Sequence, residues 1–193
     1  TMVARNIALA AETGSHVHLA HVSTAGSVEL IRQAKARGLP VTAVVTPHHL
    51  ALTPEAVLTG PAESPVGLAY DTNAKMNPPL RTAEDAAACV AGLLDGTIDC
   101  MATDHAPHAV EDKLCEFDVA AMGISGLETA LALALTVVDI ETAIERLTIA
   151  PVRTLGLDVR PDGRPSGRIP GLGTLTTGAA ADITLIDPVA EWT

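Results

Sequence analysis

Aromatic side chains are almost missing from this sequence: one Trp, one Tyr and one Phe among 193 residues. With hydrophobic content at 48 %, a core has to be packed from Ala, Val, Leu and Ile. The length suits one large domain or one and a half. Positive charge is also scarce. Twelve Lys and Arg stand against 23 Asp and Glu, a net charge of −11, which speaks against a nucleic-acid surface or an anionic membrane as partner. A local basic pocket for an anionic small molecule stays open. Cysteine is limited to Cys89, Cys100 and Cys115, without CxxC spacing. An odd count with no visible secretory signal points to a reduced, cytoplasmic setting. Long apolar runs are lacking too. The longest, residues 127–138, is interrupted by Glu128, Thr129 and Thr136 and is too short to span a bilayer.

What the chain does have is alternation. Apolar residues at Val3, Ile7, Ala8 and Ala11 predict an amphipathic helix over 2–12, stopped by Gly14. Residues 17–22 read as a short strand, and residues 23–27 cap a helix over 28–37 that ends at Gly38. Residues 41–45, VTAVV, are a continuous run of the kind found in a parallel strand buried on both faces. Residues 53–73 are rich in Pro and Gly and read as a long loop. Residues 75–81, KMNPPLR, form a stiff extended segment, because each Pro moves its predecessor out of the helical region. A helix over 84–94 then leads through Gly96 to an apolar strand over 98–102. This order implies parallel strands with crossover helices, an α/β fold. A charged loop over 111–122 and helices over 125–137 and 140–155 follow, the second interrupted near Pro151. The composition shifts to Gly, Pro and Arg from 158, before a last strand over 181–187.

The stretch with most chemistry is CMATDHAPH, residues 100–108. It places Asp104 at the end of a buried strand, where a carboxylate is costly unless it meets a metal, a cation or a substrate. That end of a parallel strand is also where α/β active sites lie. A helix-capping Asp is the plainer alternative. His21 ends its own strand in the same way, and strand alternation puts it on the face of Val17 and Leu19. Imidazole and carboxylate on neighbouring strands suit a shared zinc ion, although a core histidine bonded to backbone fits the spacing equally well. The same alternation turns His16 and His18 to the opposite face, away from any such site. His48 and His49, after Pro47, read as a surface pair. Asn77, beside two prolines, is either a ligand-presenting amide or a turn former. Met122, Gly123 and Gly126 lie where backbone can approach a substrate closely.

Taken together, HLAHVSTAGSVEL, VTAVVTPHHLALT, NAKMNPPLR, GTIDCMATDHAPH, EFDVAAMGISGLETAL and GTLTTGAAADITLIDP resemble the dihydroorotases of the amidohydrolase superfamily, in the family's order and over nearly the whole chain. The resemblance implies strands six to eight of a (β/α)8 TIM barrel over residues 1–157 and part of a small β domain over 158–193. It implies that His21 and Asp104 are metal ligands, with Asp104 also the catalytic acid/base. His21's other ring nitrogen is then expected to bond a nearby acceptor. It makes Asn77, His108, Met122 and Gly123 substrate-binding positions. Zinc is the implied cofactor, in one or two ions, with its remaining ligands on a segment upstream of this chain. The chain is therefore expected to be the carboxyl part of a longer protein, and residues 59–73 fit the family pattern poorly. The implied reaction is the reversible, zinc-dependent interconversion of L-dihydroorotate and N-carbamoyl-L-aspartate in pyrimidine biosynthesis. Two alternatives stay open: another cyclic amidase, such as a hydantoinase or allantoinase, and a non-catalytic partner of aspartate carbamoyltransferase. A small-molecule substrate, an aspartate carbamoyltransferase partner and a homo-oligomer are all compatible with the resemblance.

Overall fold

Three parallel strands form one sheet in the order β1–β2–β3: β1 (Val17–Leu19), β2 (Val41–Val45) and β3 (Cys100–Met101). They belong to a computed structural model that describes residues 2–58, 70–157 and 171–190. β1 runs beside β2 with Val17 opposite Val41 and Leu19 opposite Ala43. β3 pairs one step further along, Val44 with Cys100 and Val45 with Met101. The parallel α/β class expected from the alternation is therefore present.

Helices begin where short polar side chains can take up their first N–H groups. After α1 (Met2–Thr13), Thr24 caps α2 (Ala25–Ala36) by accepting from Ser27 N–H. Thr46 caps α3 (Pro47–Ala51), whose first residue is the proline. After the single turn α4 (Glu55–Leu58), Thr82 caps α5 (Ala83–Leu94) through Asp85 N–H. The short turn α6 (Val110–Lys113) follows β3, and then come α7 (Ala130–Leu135), α8 (Ile140–Leu147), capped by Asp139, and α9 (Ile149–Thr154). Ala150 of α9 packs with Val44 and Cys100 on one face of the sheet, and the opposite face is covered by other helices. There Leu19, Val41, Ala43, Val45 and Met101 pack with Ile7, Ile31, Leu93 and Ile98 in one core. Each fully buried Val, Leu or Ile contributes about 1.5–3 kcal/mol relative to exposure. On the other face the Thr42 hydroxyl meets His16 Nε2 at 2.9 Å and His18 Nδ1 at 2.8 Å.

Several expected elements differ. The first strand stops at Leu19, not residue 22, because His21 takes a left-handed backbone (φ 57°). Val22 then joins the same core as Leu19, so the alternation that put His21 on Leu19's face does not extend past Leu19. The long loop over 53–73 contains α4 and a 3-10 turn, Thr72–Ala74, while residues 59–69 lie outside the described residues. The helix expected over 125–137 starts only at Ala130. Residues before it are drawn toward the end of β3: His105 bridges Ile124, and Leu127 N–H donates to His105 Nδ1. The interruption in the last helix falls at Thr148. Pro151 sits in the first turn of α9, where its missing N–H is no loss. Residues 181–187 form no strand, with Ile183 65 % and Leu185 94 % exposed. β-propensity without a partner ladder does not make a strand. Residues 158–170 lie outside the described residues.

All three cysteines are free thiols, Cys89 and Cys100 buried and Cys115 partly exposed. Among the described residues no helix is long and apolar enough to cross a membrane.

Candidate active site

The carboxyl ends of β1 and β3 meet in one feature. His21 Nε2 lies 3.8 Å from Asp104 Oδ1, with about a third of each side chain exposed (32 % and 30 %). Both residues have positive φ, 57° for His21 and 47° for Asp104, and they are the described non-glycine residues that do. The left-handed region costs an L-residue roughly 1–2 kcal/mol. The two strands are not neighbours as expected, since β2 lies between them, yet two such residues with facing side chains are the kind of strain that collects at functional sites. The separation is too long for a direct hydrogen bond. His21 Nδ1 is buried and lacks a hydrogen-bond partner among the described residues, so the acceptor expected for it is not present there.

Behind this pair lie His48 and His49, and here the expectation of a surface pair is wrong. They are 2 % and 3 % exposed, with ring centroids 4.7 Å apart. The reason is local. Thr46 and Pro47 are a helix cap and first helical residue, and α3 carries both rings inward. His49 Nε2 reaches the Pro78 carbonyl at 2.9 Å, and its Nδ1 meets the Thr46 hydroxyl at 2.7 Å. A carbonyl only accepts, so the proton sits on Nε2 and Nδ1 of the neutral ring accepts from Thr46. Burial holds the His49 pKa below its ordinary value. Burial, reinforced by His49 and His21, pushes His48 down to about 3. His48 Nε2, like His21 Nδ1, is buried without a partner among the described residues. A Thr followed by Pro, the signature of a helix start, was the signal for this placement.

The remaining candidates fall in two adjacent hollows. Asn77 and Met122 line one, of about 440 Å³, together with Met76, Pro79, Leu80 and Phe117. The Asn77–Pro78 peptide is cis. His108 and Gly123 line the other, of about 270 Å³, with Asn73, Lys113 and Ser125. The two hollows share a wall, because His108 Nε2 donates to the Met122 carbonyl at 2.9 Å. Gly123 is required: at its φ of 154°, an added Cβ would lie 2.6 Å from the Ala106 carbonyl oxygen and 2.8 Å from His108 Nε2. His21 and Asp104 line neither hollow.

Two lysines that the sequence did not single out tie these walls together. Lys75, 9 % exposed, donates from Nζ to the carbonyls of Asp118 (3.0 Å) and Ala120 (2.6 Å) and lies 5.4 Å from the centre of the Phe117 ring. Lys113 Nζ donates to Thr72, Ala121 and Gly123 carbonyls, each at 2.8 Å.

As a metal site, His21 and Asp104 offer two donors of the kinds zinc takes. Two atoms held about 2.05 Å from one zinc ion at a tetrahedral angle lie about 3.3 Å apart, half an ångström closer than these. A catalytic zinc takes three protein ligands, and no group of three or more His, Cys, Asp or Glu placed to hold a metal ion occurs among the described residues. The pair fits one side of a metal site and supplies part of its donor set.

The sequence compares with curated proteins along its full length. It is 50 % identical over 195 residues to a dihydroorotase of Geotalea daltonii, covering 98 % of this chain and 40 % of that protein. It is 51 % identical to the dihydroorotase of Anaeromyxobacter sp. strain K, covering 100 % and 41 %. The figures for Pelotomaculum thermopropionicum dihydroorotase are 53 %, 97 % and 40 %. The whole of this chain is dihydroorotase-like. It spans about two fifths of the length of these dihydroorotases. No family model matches the sequence. Among solved structures, L-hydantoinase (dihydropyrimidinase) from Arthrobacter aurescens superposes with a TM-score of 0.74 at 29 % identity, covering 93 % of this chain and 37 % of that one. D-hydantoinase from Thermus sp. gives the same TM-score and coverage at 24 % identity, a likeness of fold alone. The fold of this chain is thus that of one part of the cyclic amidases.

Proposed function

We propose that this chain is the carboxyl part of a dihydroorotase, which interconverts L-dihydroorotate and N-carbamoyl-L-aspartate. Residues 1–157 supply strands six to eight of a (β/α)8 barrel, and residues 158–193 part of a small β domain. The observation that carries the reading is the convergence of His21 and Asp104 at the ends of β1 and β3, 3.8 Å apart on strained backbone. Identity near 50 % with dihydroorotases, against 29 % with L-hydantoinase, favours dihydroorotate over hydantoin.

His21 and Asp104 would hold zinc together with ligands from outside this chain. The chemistry such a metal would supply when bound is polarisation of the amide carbonyl and a water pKa brought toward about 7. Asp104 takes the proton released as water attacks and delivers it to the departing ring nitrogen. Asn77, His108 and the backbone of Met122 and Gly123 bind and orient the ring amide and carboxylate, contributing to substrate placement and not to bond making.

Assaying the full-length protein with dihydroorotate, hydantoin and allantoin tests this. Zinc-dependent turnover of dihydroorotate at least tenfold above the other two is expected. Preference for hydantoin or allantoin would move the chain to another cyclic amidase. Turnover of none, with co-purification of aspartate carbamoyltransferase, would make it a non-catalytic partner.

A further inference from the structure

We propose that Lys113 is a positioning residue for substrate, acting through the backbone of Met122 and Gly123. The inference rests on the reading above, in which those residues contact substrate. An ammonium has three protons, and all three of Lys113's are directed at carbonyls: Thr72, Ala121 and Gly123, at 2.8 Å each. One carbonyl belongs to the segment leading to Asn77. The other two flank Met122. The connection is returned from the opposite side, where the Thr72 hydroxyl, 2 % exposed as a residue, donates to the Lys113 carbonyl. Gly123 N–H donates to the Lys75 carbonyl at 2.9 Å, closing the link between the two segments.

These bonds fix a distance that chemistry needs fixed. Asn77 reaches the site from residues 72–77, and Met122 and Gly123 from residues after β3. No strand ladder joins the two segments. Without Lys113, the Ala121 and Gly123 carbonyls lose their shared donor, and the wall facing Asn77 is left to the bonds that Lys75 makes with Asp118, Ala120 and Gly123. His108 shifts with it, because its Nε2 is bonded to the Met122 carbonyl. Asp104 and His21 are not among these partners, so bond making and metal retention should be left nearly unchanged.

Lysine is required for its shape as well as its charge. Three carbonyls converge on one nitrogen, and a flat guanidinium fork does not place three donors at that point. This separates positioning from simple attraction of an anionic substrate. In the full-length protein, Lys113→Met is expected to raise KM at least tenfold, lower kcat less than threefold and leave the zinc content as in wild type. Lys113→Arg keeps the charge and is expected to recover less than a third of the lost affinity. Wild-type KM in Lys113→Met, or full recovery in Lys113→Arg, would overturn the proposal. If Lys113→Met does not fold, Thr72→Val weakens the same connection from its other end. About a threefold rise in KM is then expected, and none would count against the proposal. Should the wild-type protein turn over no cyclic amide, the functional reading fails by itself. Amide hydrogen exchange over 118–124 then decides the linkage: at least tenfold faster exchange in Lys113→Arg supports it, and wild-type exchange refutes it.

Discussion

The two ends of the β-sheet are built on opposite principles. At the amino end of β3, Asp99 binds Lys35 Nζ with both carboxylate oxygens at 2.8 Å, and one of those oxygens also accepts Ala43 N–H at 2.7 Å. Lys35 adds a bond to the Gly96 carbonyl, and Arg146 donates to the Asp99 carbonyl. At the carboxyl end, His21 and Asp104 face each other across 3.8 Å on left-handed backbone, and His21 Nδ1 and His48 Nε2 are buried without partners among the described residues. One end pairs its carboxylate with an ammonium, although Arg146 Nε is buried there without a partner among the described residues; the other end holds its acid and imidazole apart. Barrel-type folds keep stability and reactivity at opposite ends of their strands in this way.

The comparison breaks first at Asp104. Asn tolerates the left-handed region, so Asp104→Asn removes the charge while keeping the backbone. It should lower dihydroorotate turnover of the full-length protein by about 10³-fold, with a thermal midpoint within about 3 °C of wild type. Asp99→Ala should do the reverse. It leaves the Lys35 ammonium three-quarters buried without its partner, which costs about 3 kcal/mol. Urea unfolding should show that loss while kcat stays within a factor of two.

A further effect concerns acid. The His48 pKa lies at about 3 in the folded chain, against an ordinary 6.5, so below pH 6.5 the unfolded chain takes up a proton that the folded chain refuses. Stability therefore falls as pH drops from 6.5 toward 3, by up to about 1.4 kcal/mol per pH unit, and is independent of this group above 6.5. His48→Gln should flatten part of that limb in urea midpoints taken at pH 7.5, 5.5 and 4.5. An unchanged limb would show that His48 is not shielded from water.

Legibility from sequence follows the same division. The VTAVV strand, the caps at Thr24 and Asp139, and the acid after the third strand were readable because each depends on near neighbours in the chain. The alternation argument for His21 failed because it assumed an unbroken pleat, and the chain breaks it at that very residue. Burial of His48 and His49 was missed because Thr46 and Pro47 were read only as the end of a strand, and the helix that they start was not recognised. Lys75 and Lys113 were missed for a deeper reason. A lysine ammonium leaves water only where carbonyls converge on it; both carbonyls on Lys75 and the Thr72 carbonyl on Lys113 come from a distant part of the chain, while Ala121 and Gly123 lie near Lys113 in sequence. The strand expected over 181–187 had the composition of a strand and no described neighbour to pair with.

The three thiols make this loop easy to watch. Burial pushes the Cys89 thiol up to about 12 and raises that of Cys100 as well, so neither offers much thiolate to an alkylating dye at neutral pH. Cys115 is the partly exposed one, two residues past Lys113. A maleimide fluorophore reacts there first, and its polarisation reports directly on how tightly the neighbouring ammonium holds the segment.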